Sequence, residues 1–510
     1  MTQPRSTRWI SALLLLALLG PVPARAQVDD PIEPVPAPAK ASDPNTLRRE
    51  AARLAGESVK AFARGEYAQA ADLLRRQRDL QPDNFVVHYN LACALAMQGQ
   101  ADEAAVSLER AVETGFSDIH HLRRDTTLAP LRTHPRYLQI INAWASIIEA
   151  QRDARVEKIE SLFKGRYTTV RDESLRLVYR SALNEKSLDA AREELPRLAR
   201  FAEESVMPGI LDPEALRDDP WVMVVLPTTQ DFKRWAVSVY GEAAVSTTSM
   251  IGGSYEHDFK RLVSIDIGST FRHEFFHVLH WRSCTRLGQP HPIWIMEGLC
   301  SLVEDYDLDD AGRVVPATSW RTNMAKRILR INSLLPIETI ATMPQLRFSG
   351  SRPLAHYAQA RAIFLFLHQS GRLKDWYAHY TANFEADPSG VASLEAVFGT
   401  PIKDINAQYR SWLKALPEVP EQIARGMASL GIEVDAGTGD GPVVAVVPRG
   451  VRPGDLRMGD VIQSIDGRPT RDLAELVRVL GTCTPGQEVE VAYRRGQLHR
   501  TTSVTLIPRP

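Results

Sequence analysis

Apolar residues recur along this chain in three successive rhythms. From residue 46 the spacing is helical, and Gly65-Glu66-Tyr67-Ala68-Gln69-Ala70-Ala71 returns 34 residues later as Gly99-Gln100-Ala101-Asp102-Glu103-Ala104-Ala105. Glycine falls on glycine, the alanine pair on the alanine pair, and Leu74 on Leu108. Such a period predicts paired helices, with glycine in the turn and alanine where two helices approach closely. The segment "LQPDN" (Leu80 to Asn84) supplies the turn between repeats, and a less regular pair follows through His134-Pro135 to Ile141. From 153 to 416 the rhythm is mixed. Tyr167 to Arg180 predicts two short strands, Asp189 to Val206 a helix, and Val222 to Pro227 (VMVVLP) a buried strand. Arg261 to Ile267 (RLVSIDI) alternates, as a strand with one solvated face does. Beyond Glu297 the pattern is mostly helical as far as Leu413. Strands first and helices afterwards predict an α+β domain. A short Pro-bearing linker, Leu416 to Gln422, leads into Val/Ile-rich strands, glycine turns and one helix near Asp472 to Leu480.

The N-terminal run fits none of these rhythms. Arg5 and Arg8 precede an apolar core, Trp9 to Gly20, and Ala24-Arg25-Ala26 forms a small-x-small site before Gln27. Residues 1–26 therefore read as a cleaved secretory signal. The apolar core is shorter than the roughly 20 residues that span a bilayer. Residues 27–45, rich in Pro, Ala and Asp, read as a flexible linker. The expected mature protein is exported, periplasmic or secreted, without a transmembrane segment. A formal net charge of −1 and the absence of a sustained basic stripe set nucleic acid aside as a partner. The four cysteines are scattered without a CxxC pair, and Cys284 and Cys300 are expected as buried free thiols rather than a disulfide.

The candidate chemistry lies in "RHEFFHVLHW", Arg272 to Trp281. His273 and His277 stand at i and i+4, which on a helix sets both imidazoles on one face, within reach of one ion. Glu274 is turned aside, where it can hold a water on that ion; this is the HExxH arrangement. "WIMEGL" places Glu297 twenty residues after His277, at the start of a second apolar helical run. That carboxylate completes a two-His, one-Glu set with an open fourth position, which suits zinc. His280, three residues after His277, reads as a packing or surface histidine.

HExxH followed by W-x-x-E-G resembles the gluzincin zinc peptidases, in particular their peptidase-MA-like branch. The resemblance spans residues 153–416. It implies one Zn2+ per chain on His273, His277 and Glu297, with Glu274 as general base. It also implies that RLVSIDI corresponds to the family's substrate-aligning edge strand. "HYAQARAIFLFLHQSG" (His356 to Gly371) resembles the family's later helix, so Tyr357 is expected to donate a hydrogen bond to the oxyanion, with His356 as the alternative donor. In thermolysin-like members an acid four residues after the glutamate ligand orients the first histidine. Here that position is Ser301, and Glu304, Asp305 or a backbone carbonyl is left to substitute. No match to an aminopeptidase motif is found, which favours an endopeptidase. Gly252-Gly253 is either a close-approach point for substrate backbone or a hairpin turn.

Two further resemblances flank this domain. The 34-residue period resembles the tetratricopeptide repeat over residues 46–148, which implies a protein-binding surface or a plain helical spacer. Residues 423–510 resemble a PDZ domain of the bacterial protease type. The matching pieces are Gly459-Asp460-Val461-Ile462, Ile465-Asp466-Gly467 and Pro485-Gly486. In that reading Leu430, Gly431 and Ile432 form the loop that receives a peptide C-terminus. The expected protein is thus multidomain: helical tetratricopeptide-like repeats, an α+β zincin-like peptidase domain and a β-rich PDZ-like domain. The leading reading is an exported zinc peptidase acting on proteins or peptides. Its alternatives are a non-catalytic scaffold on a peptidase-like fold and a zinc hydrolase of another amide, such as a cell-wall peptide.

Overall fold

A computed structural model describes residues 44–163, 167–226, 228–240, 253–437 and 439–510. The expected signal, nearly all of the Pro-rich linker and Gly252 lie outside them. The chain divides into two units, Met1–Trp144 and Ala145–Pro510.

In the first unit the repeated alanines form the helix contacts. Helices Tyr67–Leu80 and Ala101–Glu113 carry Ala70, Ala71, Ala104 and Ala105 with no exposed surface, and Leu74 and Leu108 are buried beside them. Gly65 and Gly99 take φ of 77° and 78°, a conformation that only glycine adopts cheaply. Asn84 caps helix Phe85–Ala96 by accepting from the Val86 amide at 3.0 Å. From Ala145 on, helix Trp144–Phe163 belongs to the second unit.

The second unit begins with a five-stranded sheet. Its strands are β1 (Thr168–Asp172), β2 (Leu177–Ser181), β3 (Trp221–Val225), β4 (Gly253–Glu256) and β5 (Arg261–Ser264), in the order β1-β2-β3-β5-β4. β2, β3 and β5 are parallel, and β1 and β4 are antiparallel to their neighbours. Helix Glu185–Ser205 makes the crossover from β2 to β3 and buries Leu188, Leu195 and Leu198. All of β3 is buried, as its unbroken apolar run predicts.

The alternating segment RLVSIDI departs from expectation. β5 lies inside the sheet with all four residues buried, and the edge strand is β4, one hairpin earlier. Arg261 imitates a solvated position because its charge is neutralised internally, by Glu256 at 2.5 Å. Alternation reports polarity, and a buried ion pair supplies polarity without solvent.

Beyond β5 the domain is largely helical. Helices Ser269–Leu287, Ile293–Leu302, Trp320–Arg330 and Pro353–Gln369 share one apolar core with the sheet. The Pro-bearing segment at 416–422 is held down. Asn323 donates to the Val419 carbonyl at 2.8 Å, and Arg327 pairs with Glu421 at 2.6 Å.

The C-terminal module comprises β6 (Ala428–Ser429), β7 (Glu433–Asp435), β8 (Val443–Val446), β9 (Val461–Ile465), β10 (Arg468–Pro469), β11 (Glu488–Arg495), β12 (Leu498–Thr505) and β13 (Ile507–Pro508). Helix Leu473–Leu480 covers a core built from Val444, Ile462, Leu476 and Val491. No helix among the described residues is long and apolar enough to cross a membrane.

Candidate metal centre

Two buried helices bring the central groups together. Helix Ser269–Leu287, here the histidine helix, anchors itself through Phe271, Phe275, Phe276, Val278 and Leu279, none of which is exposed. The helical period then leaves His273 and His277 on a common face. Helix Ile293–Leu302 presents Glu297 to them. Its Trp294 is fully buried, donates from Nε1 to the Ser389 carbonyl at 3.1 Å, and packs on Phe364 and Trp376. Gly298 permits the closure of helix Pro353–Gln369. A Cβ there would lie 2.3 Å from Phe364 Cδ2 and 3.2 Å from the Ala360 carbonyl oxygen. The W-x-x-E-G pattern therefore has a packing reason at both ends as well as a chemical one in the middle.

The donors converge. His273 Nε2 and His277 Nε2 face each other at 3.2 Å, and Glu297 Oε2 lies 3.2 Å from the first and 3.6 Å from the second. Ligands about 2.0–2.1 Å from a tetrahedral ion stand about 3.3–3.5 Å from one another. Glu297 Oε2 is buried and makes no hydrogen bond among the described residues. A buried carboxylate needs positive charge beside it, which the imidazoles at 3.2 and 3.6 Å supply when protonated and which a cation between the three atoms would supply in their place. This donor set could hold a divalent ion.

The tautomer of His273 is set from behind. Its Nδ1 lies 2.9 Å from Glu304 Oε1, an acceptor that would keep an N–H on that side and leave Nε2 for a cation. Of the groups left open by the sequence, Glu304 occupies this role. Ser301 Oγ is buried without a hydrogen bond among the described residues, and Asp305 lies 3.8 Å from Arg361. Arg321, which no motif singles out, clamps Glu304 through Nε at 2.5 Å and Nη2 at 2.9 Å. Only its position seventeen residues downstream on a helical face hinted at it, and that is no signal without the fold.

The electrostatics favour positive charge at this point. Burial alone would lower the His273 pKa, but Glu297 and Glu304 outweigh it and lift it to about 10. Burial opposes ionisation of Glu297 and Glu304 too, yet the imidazoles hold Glu297, and Arg321 with His273 hold Glu304, well below the usual carboxylate range. Glu274 differs. Burial raises it above its ordinary value, and the nearby His273 and His277 offset that only in part. A carboxylate so placed is a better proton acceptor than an exposed one.

Glu274 also touches the sheet edge. A Cβ on Gly253 would lie 2.7 Å from Glu274 Cγ and 2.8 Å from its Oε1, so β4 passes this carboxylate only because the residue is glycine. Gly253 is thus a strand residue at a close approach rather than a hairpin turn. Tyr357 is half-buried and its hydroxyl stays protonated, its pKa raised by burial and then by the charges of Glu297 and Glu274. His356 is committed elsewhere, with Nδ1 2.8 Å from the Phe348 carbonyl oxygen.

His280 does not join this group. It is buried, with Nε2 2.8 Å from His291 Nδ1, and Cys284 lies close to both. Cys284 and Cys300 are buried free thiols. In the C-terminal module the expected loop is more closed than its pattern suggests. Leu430 belongs to the core, the Gly431 amide donates to Ser429 Oγ at 2.9 Å, and Ile432 is half-buried against that core. The Gly431 amide is therefore already spent within the loop. β7 pairs with β8 on one side and has no partner strand on the other among the described residues.

Comparison with known proteins places the two flanking modules. Residues 428–506 match the family model of the PDZ domain, and residues 61–124 that of the tetratricopeptide repeat. No curated protein matches the chain. Among solved structures there is similarity to an HtrA-type protease with a decapeptide, at 26% identity and a TM-score of 0.16, covering 22% of this chain and 36% of that one. The chain thus spans little more than a third of that neighbour. An aminopeptidase N family protein from Idiomarina loihiensis is similar at 14% identity and a TM-score of 0.27, covering 68% of this chain and 67% of the other. The molecule is a multidomain protein with a helical repeat region, a helix-rich central domain and a β-rich PDZ region.

Proposed function

We propose that this chain is an exported, zinc-dependent peptidase of the gluzincin type, acting as an endopeptidase on protein or peptide substrates. The observation that carries the proposal is the convergence of His273 Nε2, His277 Nε2 and the hydrogen-bond-free Glu297 Oε2 within 3.6 Å of one another. These three residues would hold one zinc ion. Zinc bound there supplies a Lewis acid that acidifies a water and polarises the scissile carbonyl.

The chain's own residues do the rest. Glu274 takes the proton of the attacking water as the new C–O bond forms, and returns it to the amine nitrogen as the C–N bond breaks. The neutral hydroxyl of Tyr357 donates to the oxygen that gains charge. β4, last in the strand order of the sheet among the described residues, would align an extended substrate, and Gly253 lets that strand run beside Glu274. Glu304, clamped by Arg321, keeps the His273 lone pair pointed inward. The PDZ region would bind a peptide segment, with the open edge of β7 as its docking strand, and the helical repeats would bind a protein partner.

Glu274→Gln is expected to retain one zinc per chain and to lose about 10²–10⁴-fold in cleavage of unfolded protein. Proteomic cleavage profiling of wild type against this variant reads the result and reports the substrate preference. Full cleavage by the variant would sink the assignment. Zinc in the wild type without cleavage of any peptide library would establish a scaffold instead.

A further inference from the structure

The histidine helix does not supply its own N-cap. Gly268 stands at the cap position and has no side chain to offer. The acceptor comes from the PDZ region, about two hundred residues later. Asp472 Oδ2 accepts from Ser269 Oγ at 2.7 Å and from the Ser269 amide at 3.2 Å. The other oxygen of the same carboxylate, Oδ1, accepts from the Glu475 amide at 2.8 Å and so caps the PDZ helix Leu473–Leu480. One carboxylate therefore starts two helices that belong to different domains. Gly268 has to be small for this, since a Cβ there would lie 2.9 Å from Asp472 Oδ2.

A second link ends at the metal centre. Glu475 Oε1 pairs with Arg272 Nη1 at 2.7 Å. Arg272 is 2% exposed, directly precedes His273, and donates from Nε at 3.1 Å and Nη2 at 2.5 Å to the backbone carbonyl of Glu304. Glu304 in turn accepts from His273 Nδ1. A continuous path of charge-assisted contacts thus runs from the PDZ helix through Arg272 and Glu304 to the first imidazole. Arg471, Glu194 and Tyr306 close around it: Arg471 pairs with Glu194 and donates to the Ala190 carbonyl at 3.1 Å, and Tyr306 donates to Glu194.

We propose that Asp472 and Glu475 of the PDZ region are positioning residues of the metal centre: they set the first turn of the histidine helix and the placement of Glu304 behind His273. The inference rests on the zinc reading above for its consequence and on the contacts themselves for its mechanism. Two helices sharing one cap are coupled, because moving the PDZ helix uncaps the histidine helix and takes Glu475 away from the buried Arg272, which is left with Glu194 at 3.4 Å as its carboxylate partner. The PDZ region is then part of the catalytic framework rather than a tethered accessory.

The test uses the full chain and two independent readouts, amide hydrogen exchange at Ser269–Phe271 and affinity for zinc measured by competition with a chelator. Asp472→Ala is expected to speed exchange of those amides by about fivefold or more, the consequence of losing an N-cap. Glu475→Ala is expected to weaken zinc binding about tenfold, as loss of an outer-shell support does. Asp472→Asn and Glu475→Gln, which keep an acceptor oxygen, should recover most of each effect. Arg478→Ala is the control. Arg478 holds the same interface through the Tyr306 backbone carbonyl at 2.5 Å and Asp307 at 2.8 Å without touching the histidine helix, and its loss should leave both readouts unchanged. If Asp472→Ala leaves exchange within twofold of wild type, or if Arg478→Ala changes it equally, the assignment is overturned. If wild type takes up no zinc, the functional reading fails, while the exchange measurements still decide the coupling.

Discussion

Two groups of metal-capable residues draw on the histidine helix. His273, His277 and Glu297 form one; His280, Cys284 and His291 form the other. Both bring three donor atoms within 4.8 Å of one another. Their surroundings separate them. The first group has carboxylates on two sides of one imidazole, Glu297 at 3.2 Å from Nε2 and Glu304 at 2.9 Å from Nδ1. The second has no carboxylate. Its histidines satisfy each other at 2.8 Å, and Tyr377, Tyr380 and Phe384 surround His291. Burial pushes His291 down to about 3, so it stays neutral, and burial pushes the Cys284 thiol up to about 12. Donor type and spacing alone do not make a metal centre. Negative charge behind and beside the donors sets the first group apart, and the zinc reading proposed above draws on that difference.

Four experiments break or sharpen that contrast. The largest effect is expected from Glu297→Ala, which should abolish stoichiometric zinc retention after dialysis, whereas His291→Phe should keep one zinc per chain. If the two variants behave alike by metal analysis, the contrast collapses. Next is Glu304→Ala. Removing the acceptor behind His273 should weaken zinc binding about 10–100-fold while the chain stays folded. Competition with a graded series of chelators measures this. Third is Gly298→Ala, which adds a methyl group against Phe364 and should destabilise the second unit by about 1–3 kcal/mol in urea unfolding.

The smallest effect is in acid. His291 takes up a proton at about 3 when folded and near 6.5 when unfolded. Between those values the unfolded chain binds more protons, so stability should fall as pH drops from about 6.5 towards 3 and should be independent of this group above 6.5. Replacing His291 with Phe should flatten that part of the stability–pH curve. An unchanged slope in thermal unfolding would show that His291 is not the titrating group.

The same contrast marks how far the sequence reaches. His273, His277 and Glu274 were legible because the helical period is fixed, and residues four apart share a face in any helix. Glu297 was legible through the resemblance of its W-x-x-E-G setting, and the structure gives Trp294 and Gly298 packing duties there. The repeats were legible from Gly65 and Gly99, since a left-handed turn leaves little choice of residue. The strand order was not legible. The alternation in RLVSIDI points to a solvated face, and only the fold supplies Glu256 as the buried partner of Arg261. At Leu430 to Ile432 the resemblance marks a loop for a peptide C-terminus, and only the fold shows the Gly431 amide donating to Ser429 Oγ. Among Ser301, Glu304 and Asp305, the sequence could not choose which group stands behind His273. That choice depends on how helix Ile293–Leu302 ends and on where Arg321 arrives.

The sequence by itself determined the local chemistry: which side chains can share a face, where the chain must turn, and which residues are small enough for close approach. Tertiary structure alone decided the partnerships across long separations, namely Glu304 with His273, Gly253 with Glu274, and Asp472 with the first turn of the histidine helix. The physical reason is range. Backbone geometry couples residues a few positions apart, whereas these pairs lie 31, 21 and 203 residues apart. They meet only because one buried core brings their elements together.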